Sequence, residues 1–160
     1  GNGRTGRIIN ILYLVEKGLL EIPVLYLSHY IIRNKNDYYA GLREVTEKNA
    51  WQEWILYILT AIESTAAETR AKIFRIRDLM NEAQESARTQ AAKIYSKDLI
   101  ELIFEQPYCK IAFLEQRAIA KRQTASTYLK TLEKIGLLQS VKVGREVYFL
   151  NQKLLAVLAE

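Results

Sequence analysis

The sequence predicts a mainly α fold in three parts: a partial helical bundle over residues 1–64, a long connecting helix over 65–95, and a C-terminal module over 96–160 carrying a small β-hairpin. Three observations predict it. Trp51, Trp54, Ile55, Ile58, Leu59 and Ile62 fall at helical spacing, which marks one buried helix face. Residues 65–93 contain neither Pro nor Gly and are rich in Ala, Glu, Arg and Gln, as in an unbroken helix. Residues 138–143 and 145–150 flank Gly144, as two strands flank a hairpin turn.

Taken in order, the first helix is expected over residues 4–17, with Gly18 as its left-handed stop. Its apolar positions nearly encircle it, so it should be buried, at the centre of a bundle that needs more helices than these residues supply. Pro23 fits the first turn of a second helix reaching residue 34, and Asp37 fits the cap of a third reaching residue 48. The sole histidine, His29, lies in the second helix among Leu27, Tyr30 and Ile31 and reads as structural. The helix from Trp51 closes the bundle. Along the connecting helix, Ile73, Ile76, Met80, Ala83 and Ala87 form a narrow stripe. It suits docking on a neighbouring domain or pairing with a second copy, as a homodimer.

Ser96 is placed to cap a helix that turns Leu99, Ile100, Ile103 and Phe104 inward and ends before Pro107. A second short helix over 113–118 and a turn over 119–122 lead to a third helix over 123–135, with Ala125, Tyr128, Leu129, Leu132 and Ile135 inward. Gly136 stops it, the hairpin follows, and residues 152–159 form a closing helix.

Composition is that of ordinary globular material: 160 residues, 49% apolar and 26% charged. Neither a signal-peptide pattern nor an apolar run of about 18 residues occurs. The one cysteine, Cys109, has no intrachain partner and reads as a small core residue. A soluble, cytoplasmic protein without membrane contact is expected. The net charge of +5 is unevenly spread: residues 1–64 carry seven Lys and Arg against seven Asp and Glu, residues 65–95 six against four, and residues 96–160 ten against seven. An anionic partner is therefore expected on the later parts.

Three short helices followed by a hairpin resemble winged helix-turn-helix domains, most closely in Thr124-Ala125-x-x-Tyr128-Leu129-x-x-Leu132-Glu133-x-x-Gly136-Leu137-Leu138. Winged helices bind duplex DNA or other proteins, and the resemblance leaves both open. The outward face of the third helix offers Gln123, Thr127, Lys130, Thr131 and Lys134. Lys121 and Arg122 lie in the turn before it, with Lys142 and Arg145 at the wing. Small polar and basic side chains suit base reading and phosphate contact.

At the other end, Gly1-Asn2-Gly3-Arg4-Thr5-Gly6-Arg7 runs into the apolar helix. Glycines free to take unusual backbone angles, the unpaired N–H groups of a helix start and two arginines three residues apart make an anion site. The stretch resembles the second half of the Fic-domain signature, His-x-Phe-x-(Asp/Glu)-Gly-Asn-Gly-Arg-x-x-Arg. Gly18-Leu19-Leu20, residues 23–28, Asn36-Asp37-Tyr38-Tyr39 and residues 51–55 follow the family's usual order. The resemblance implies a protein adenylyltransferase moving AMP from ATP, with Mg²⁺, onto a Ser, Thr or Tyr hydroxyl of a protein substrate. Some family members transfer other phosphate-containing groups or remove AMP. By the same resemblance, Gly1, Asn2 and Gly3 hold the α-phosphate, Arg4 and Arg7 the β- and γ-phosphates, and Tyr38 or Tyr39 packs on adenine. The signature's histidine, the general base, and its acidic metal ligand are not among these residues. No catalytic residue and no metal ligand are therefore assigned, and the 160 residues alone are expected to be inactive. An inhibitory (Ser/Thr)-x-x-x-Glu-(Gly/Asn) helix, found in many members of that family, is not found in these residues; if present, it lies upstream. The competing reading is a non-enzymatic, DNA-binding transcriptional regulator in which the Fic part is a scaffold.

Overall fold

The computed structural model describes residues 3–160. The fold is mainly helical with one small antiparallel sheet, as the sequence predicts. It divides into two compact units, the first ending at Ala71 and the second beginning at Lys72. Among the described residues no helix is long and apolar enough to cross a membrane.

In the first unit, α1 (Gly3–Glu16) ends as expected: Gly18 takes φ 67°, its N–H bonds to the Val15 carbonyl, and the Leu19 N–H bonds to that of Leu14. The expected burial of α1 is not found. Ile8, Ile9, Leu12 and Tyr13 are each more than half exposed, because the helices of this unit cover little of its circumference. α2 (Leu27–Arg33) starts four residues after Pro23, not at it. Leu25 and Leu27 are both buried, and residues two apart diverge on a helix. The chain therefore stays irregular until both have turned inward. α3 (Lys35–Lys48) begins before Asp37, which lies in the first turn instead of capping. There its charge still favours the helix N-terminus.

α4 (Trp51–Gln90) is one helix of 40 residues, so the expected closing helix and connecting helix are continuous. The unit boundary falls within it, leaving residues 65–71 with the first unit and 72–95 with the second. Trp54 packs edge-on against Tyr38 at 5.3 Å and stacks on Tyr57 at 5.7 Å. With Leu27, Ile31 and Ala61 these rings form the first unit's core. A Cβ on Gly41 would come within 2.9 Å of the Trp54 ring, so α3 can approach this closely only with glycine there. Trp51, Ile55 and Leu59, expected to close a bundle, are instead exposed.

The second unit buries Ala83 and Ala87 of α4, with Met80 beside them, against α5 (Lys97–Glu105), α6 (Ile111–Gln116) and α7 (Arg122–Lys134). The lower end of the stripe is thus used within this unit, whereas Ile73 is exposed. The Ser96 hydroxyl oxygen accepts from the Leu99 N–H at 3.2 Å, the expected cap. Leu99, Ile100 and Ile103 are buried as expected. α6 starts two residues before the expected position, and Ala118, at φ 54°, turns the chain toward α7.

β2 (Gln139–Val143) and β3 (Glu146–Leu150) form the expected hairpin, with Gly144 at φ 61° in its turn. A two-residue strand that the sequence did not reveal, β1 (Tyr108–Cys109), pairs with the far edge of β3, giving the order β1-β3-β2. α8 (Gln152–Ala159) closes the chain. Its cap is the buried Asn151, whose Oδ1 accepts from the Leu154 N–H at 3.1 Å while Nδ2 donates to the Ile103 carbonyl at 3.1 Å.

Two outcomes follow. Burial pushes the Cys109 thiol up to about 12, so it stays protonated near neutrality and is not a nucleophile. Iodoacetamide should modify it only on unfolding, and native-state labelling at the unfolded rate would contradict this burial. Asn151→Ala removes a cap worth about 1 kcal/mol and orphans the buried Ile103 carbonyl, costing about 1–3 kcal/mol more. In urea it should destabilise the chain more than Ser96→Ala, which loses the cap alone; equal effects would refute the second role.

Candidate functional site

Two surfaces gather the candidate residues. In the first unit, Gly3, Gly6, Arg7 and Asn10 of α1 face Tyr38 and Trp54 across a groove of about 390 Å³. Gly1 and Asn2 lie outside the described residues. Gly3 is helical, not left-handed as a nest would need, so its contribution is to open α1. The first turn holds no acidic side chain, which leaves the positive end of the helix free of a competing charge. The Arg7 guanidinium folds back, Nε donating to the Gly3 carbonyl at 3.2 Å. This holds a cation over the helix start.

Gly3, Arg7 and Tyr38 are therefore brought together, and Arg4 and Tyr39 are not. Arg4 is exposed and is not a wall of the groove. Tyr39 is 57% exposed, with the Lys35 ammonium 6.0 Å from its ring centre. His29 is also absent from the groove; its Nδ1 lies 3.5 Å from Glu68, and its ring stacks on Tyr26. Gly6, Asn10 and Trp54 are walls that motif reading missed. Gly6 carried a signal, because glycine inside a helix costs about 0.5–1 kcal/mol relative to alanine. A Cβ there would meet nothing within 4 Å, so packing does not require the glycine. Among the described residues there is no group of three or more His, Cys, Asp or Glu placed to hold a metal ion.

The second surface is on α7 and the hairpin. Ala125, Leu129 and Leu132 are wholly buried, which turns Gln123, Thr127, Lys130 and Lys134 to solvent. Lys121 sits at the N-cap position and Arg122 opens the helix, both exposed. Lys142 on β2 and Arg145 in the turn are exposed as well. Thr127 Oγ1 donates to the Gln123 carbonyl at 3.1 Å, leaving its lone pairs outward.

Among the described residues, the ion pairs of residues 96–160 are made by other cations: Lys97, Lys110, Arg117 and Lys153, and Arg75 of α4 to Glu160. Two acids lie near this surface and both are engaged. Glu133 Oε1 accepts from the Ser140 N–H at 2.8 Å. Glu146, next to Arg145, accepts from Lys110 Nζ at 2.6 Å and from the Tyr148 hydroxyl at 2.8 Å. Lys110 holds that carboxyl below its usual range, and its own ammonium is pushed up to about 12. Lys121, Arg122, Lys130, Lys134, Lys142 and Arg145 thus give this surface an excess of positive charge.

Residues 79–154 match a protein family described as the C-terminal domain of SoFic-like protein adenylyltransferases. The matched stretch runs from the second half of α4 through α5, β1, α6, α7 and the hairpin into α8. In its C-terminal part the chain is thus similar to the C-terminal domain of SoFic-like protein adenylyltransferases, and the matched residues do not include the glycine-rich motif.

Proposed function

We propose that these residues are part of a Fic-type protein adenylyltransferase that moves AMP from ATP to a Ser, Thr or Tyr hydroxyl of a protein. The observation that carries this reading is the family match over residues 79–154, and the groove at the start of α1 supports it. In the transfer, the acceptor oxygen attacks the α-phosphorus, the bond to the β-phosphate breaks, and pyrophosphate leaves with the electron pair. The acceptor's proton goes to a base that these residues do not contain.

The residues here bind and orient. The α1 N-terminus and Arg7 attract the phosphates, with Arg4 at the rim, and Gly6 leaves room for close approach. Tyr38 and Trp54 offer aromatic walls to the adenine, burying its faces. Mg²⁺ would arrive with the nucleotide.

We further propose that residues 96–160 are a winged helix that binds duplex DNA, with α7 in the major groove and the hairpin on the backbone. The supporting observation is that Lys121, Arg122, Lys130, Lys134, Lys142 and Arg145 carry no ion pair among the described residues, although acids stand close by.

The nucleotide reading predicts that the chain binds ATP and that Arg7→Ala weakens binding by about 1.5–3 kcal/mol, the usual worth of a charge-assisted hydrogen bond. With α-labelled ATP and a cell extract, the chain alone should transfer no label. Unchanged titration of Arg7→Ala would remove the phosphate assignment, and label transfer would remove the need for a further base. The duplex reading predicts that log affinity falls with log salt at a slope of about −4 to −5 if four to six cations meet phosphates. Lys121→Ala should flatten the slope by about one for all sequences, whereas Gln123 and Thr127 substitutions should change which sequence is preferred. Absence of binding at low salt in fluorescence anisotropy refutes it and leaves protein docking.

A further inference from the structure

We infer that Glu133 is a positioning residue that fixes the hairpin relative to α7, so that Lys142 and Arg145 meet the backbone of a bound duplex together with α7. This rests on the duplex-binding reading above.

The sheet order leaves β2 at a free edge, paired only with β3, and every residue of β2 is exposed. Val141, Val143 and Val147 toward the tip bury little, and a two-stranded ribbon with so little packing is marginally stable alone. The orientation of its tip therefore depends on how its base is held. The Ser140 N–H is taken not by β3 but by Glu133 Oε1, from the last turn of α7, at 2.8 Å. Among the described residues this is the side-chain hydrogen bond that joins α7 to β2. Gln152 of α8 reaches only the side chain of Gln139, at 3.1 Å. The Ser140 hydroxyl and N–H together hold the Glu133 carboxyl below its ordinary range, as expected of an acid kept ionised as an acceptor.

The same residue is otherwise out of place. It lies between Lys130 and Lys134, and a carboxylate on a surface that meets phosphates opposes binding through its charge. A solvated acid and a positioning acid thus predict opposite signs. If Glu133 were merely solvated, Glu133→Ala would raise the net charge and tighten duplex binding.

As a positioning residue, its loss frees the hairpin, and the two wing cations cease to contribute. Fluorescence anisotropy of the full chain with a random-sequence duplex, from low to physiological salt, distinguishes these. Glu133→Ala should bind more weakly, with a salt slope flatter by about two, the loss of two phosphate contacts. Glu133→Gln keeps an acceptor oxygen and should retain the wild-type slope. Ser140→Pro deletes the same hydrogen bond from the strand side and should reproduce the loss. In a Lys142→Ala, Arg145→Ala background, Glu133→Ala should cause no further flattening. Equal or tighter binding of Glu133→Ala and Ser140→Pro with unchanged slopes overturns the positioning role while the duplex reading stands. Failure of the wild-type chain to bind at low salt overturns both.

Discussion

Ala125, Leu129 and Leu132 are wholly withdrawn from solvent, and the organisation of the C-terminal unit follows from that burial. Each buried leucine contributes about 1.5–3 kcal/mol, enough to fix which side of α7 faces inward. Once those positions face the core, the helical period carries Gln123, Thr127, Lys130 and Lys134 to the opposite side. Ala83 and Ala87 let α4 approach without displacing Leu99, Ile100 or Ile103. Asn151 ties the start of α8 to the end of α5. The outward placement of Gln123, Thr127, Lys130 and Lys134 is thus a consequence of packing on the opposite face of α7.

In the first unit the comparable constraint is aromatic. Tyr38, Trp54 and Tyr57 pack as one cluster, and Gly41 permits the close approach of α3 and α4 that this packing needs. The same rings, Tyr38 and Trp54, supply one side of the groove whose other side is the start of α1. Arg7 is held over that helix start by its own backbone contact, so the cation and the helix dipole act at one place. Gly6 keeps that place open at a cost to helix stability.

Features set by a few neighbouring residues were legible in the sequence. Gly18 takes the left-handed angle expected of it, Gly136 and Gly144 stand at the expected helix stop and hairpin turn, also left-handed, and the Ser96 cap forms as read. Features that depend on distant partners were not. β1 is two residues long and exists only through its pairing with β3. Asn151 and Glu133 act through Ile103 and Ser140, contacts without a local pattern. The start of α2 is set by the joint burial of Leu25 and Leu27, which overrides the preference of Pro23. At the candidate groove, Gly3, Arg7 and Tyr38 line one cavity, whereas Arg4 and Tyr39 are not among its walls. A motif states residue types, but the helical phase and the neighbouring helices decide which side chains share a cavity.

In the proposed reading, α7 and the hairpin form a single surface for a duplex, made by core packing on one side and fixed by Glu133 at the hairpin base. Mapping backbone amide chemical shifts of the full chain during titration with a random-sequence duplex at low salt tests it most directly. Residues 121–134 and 140–146 are expected to shift together along one binding curve, with the first unit unaffected. Shifts confined to other faces, or separate curves for α7 and the hairpin, would contradict it.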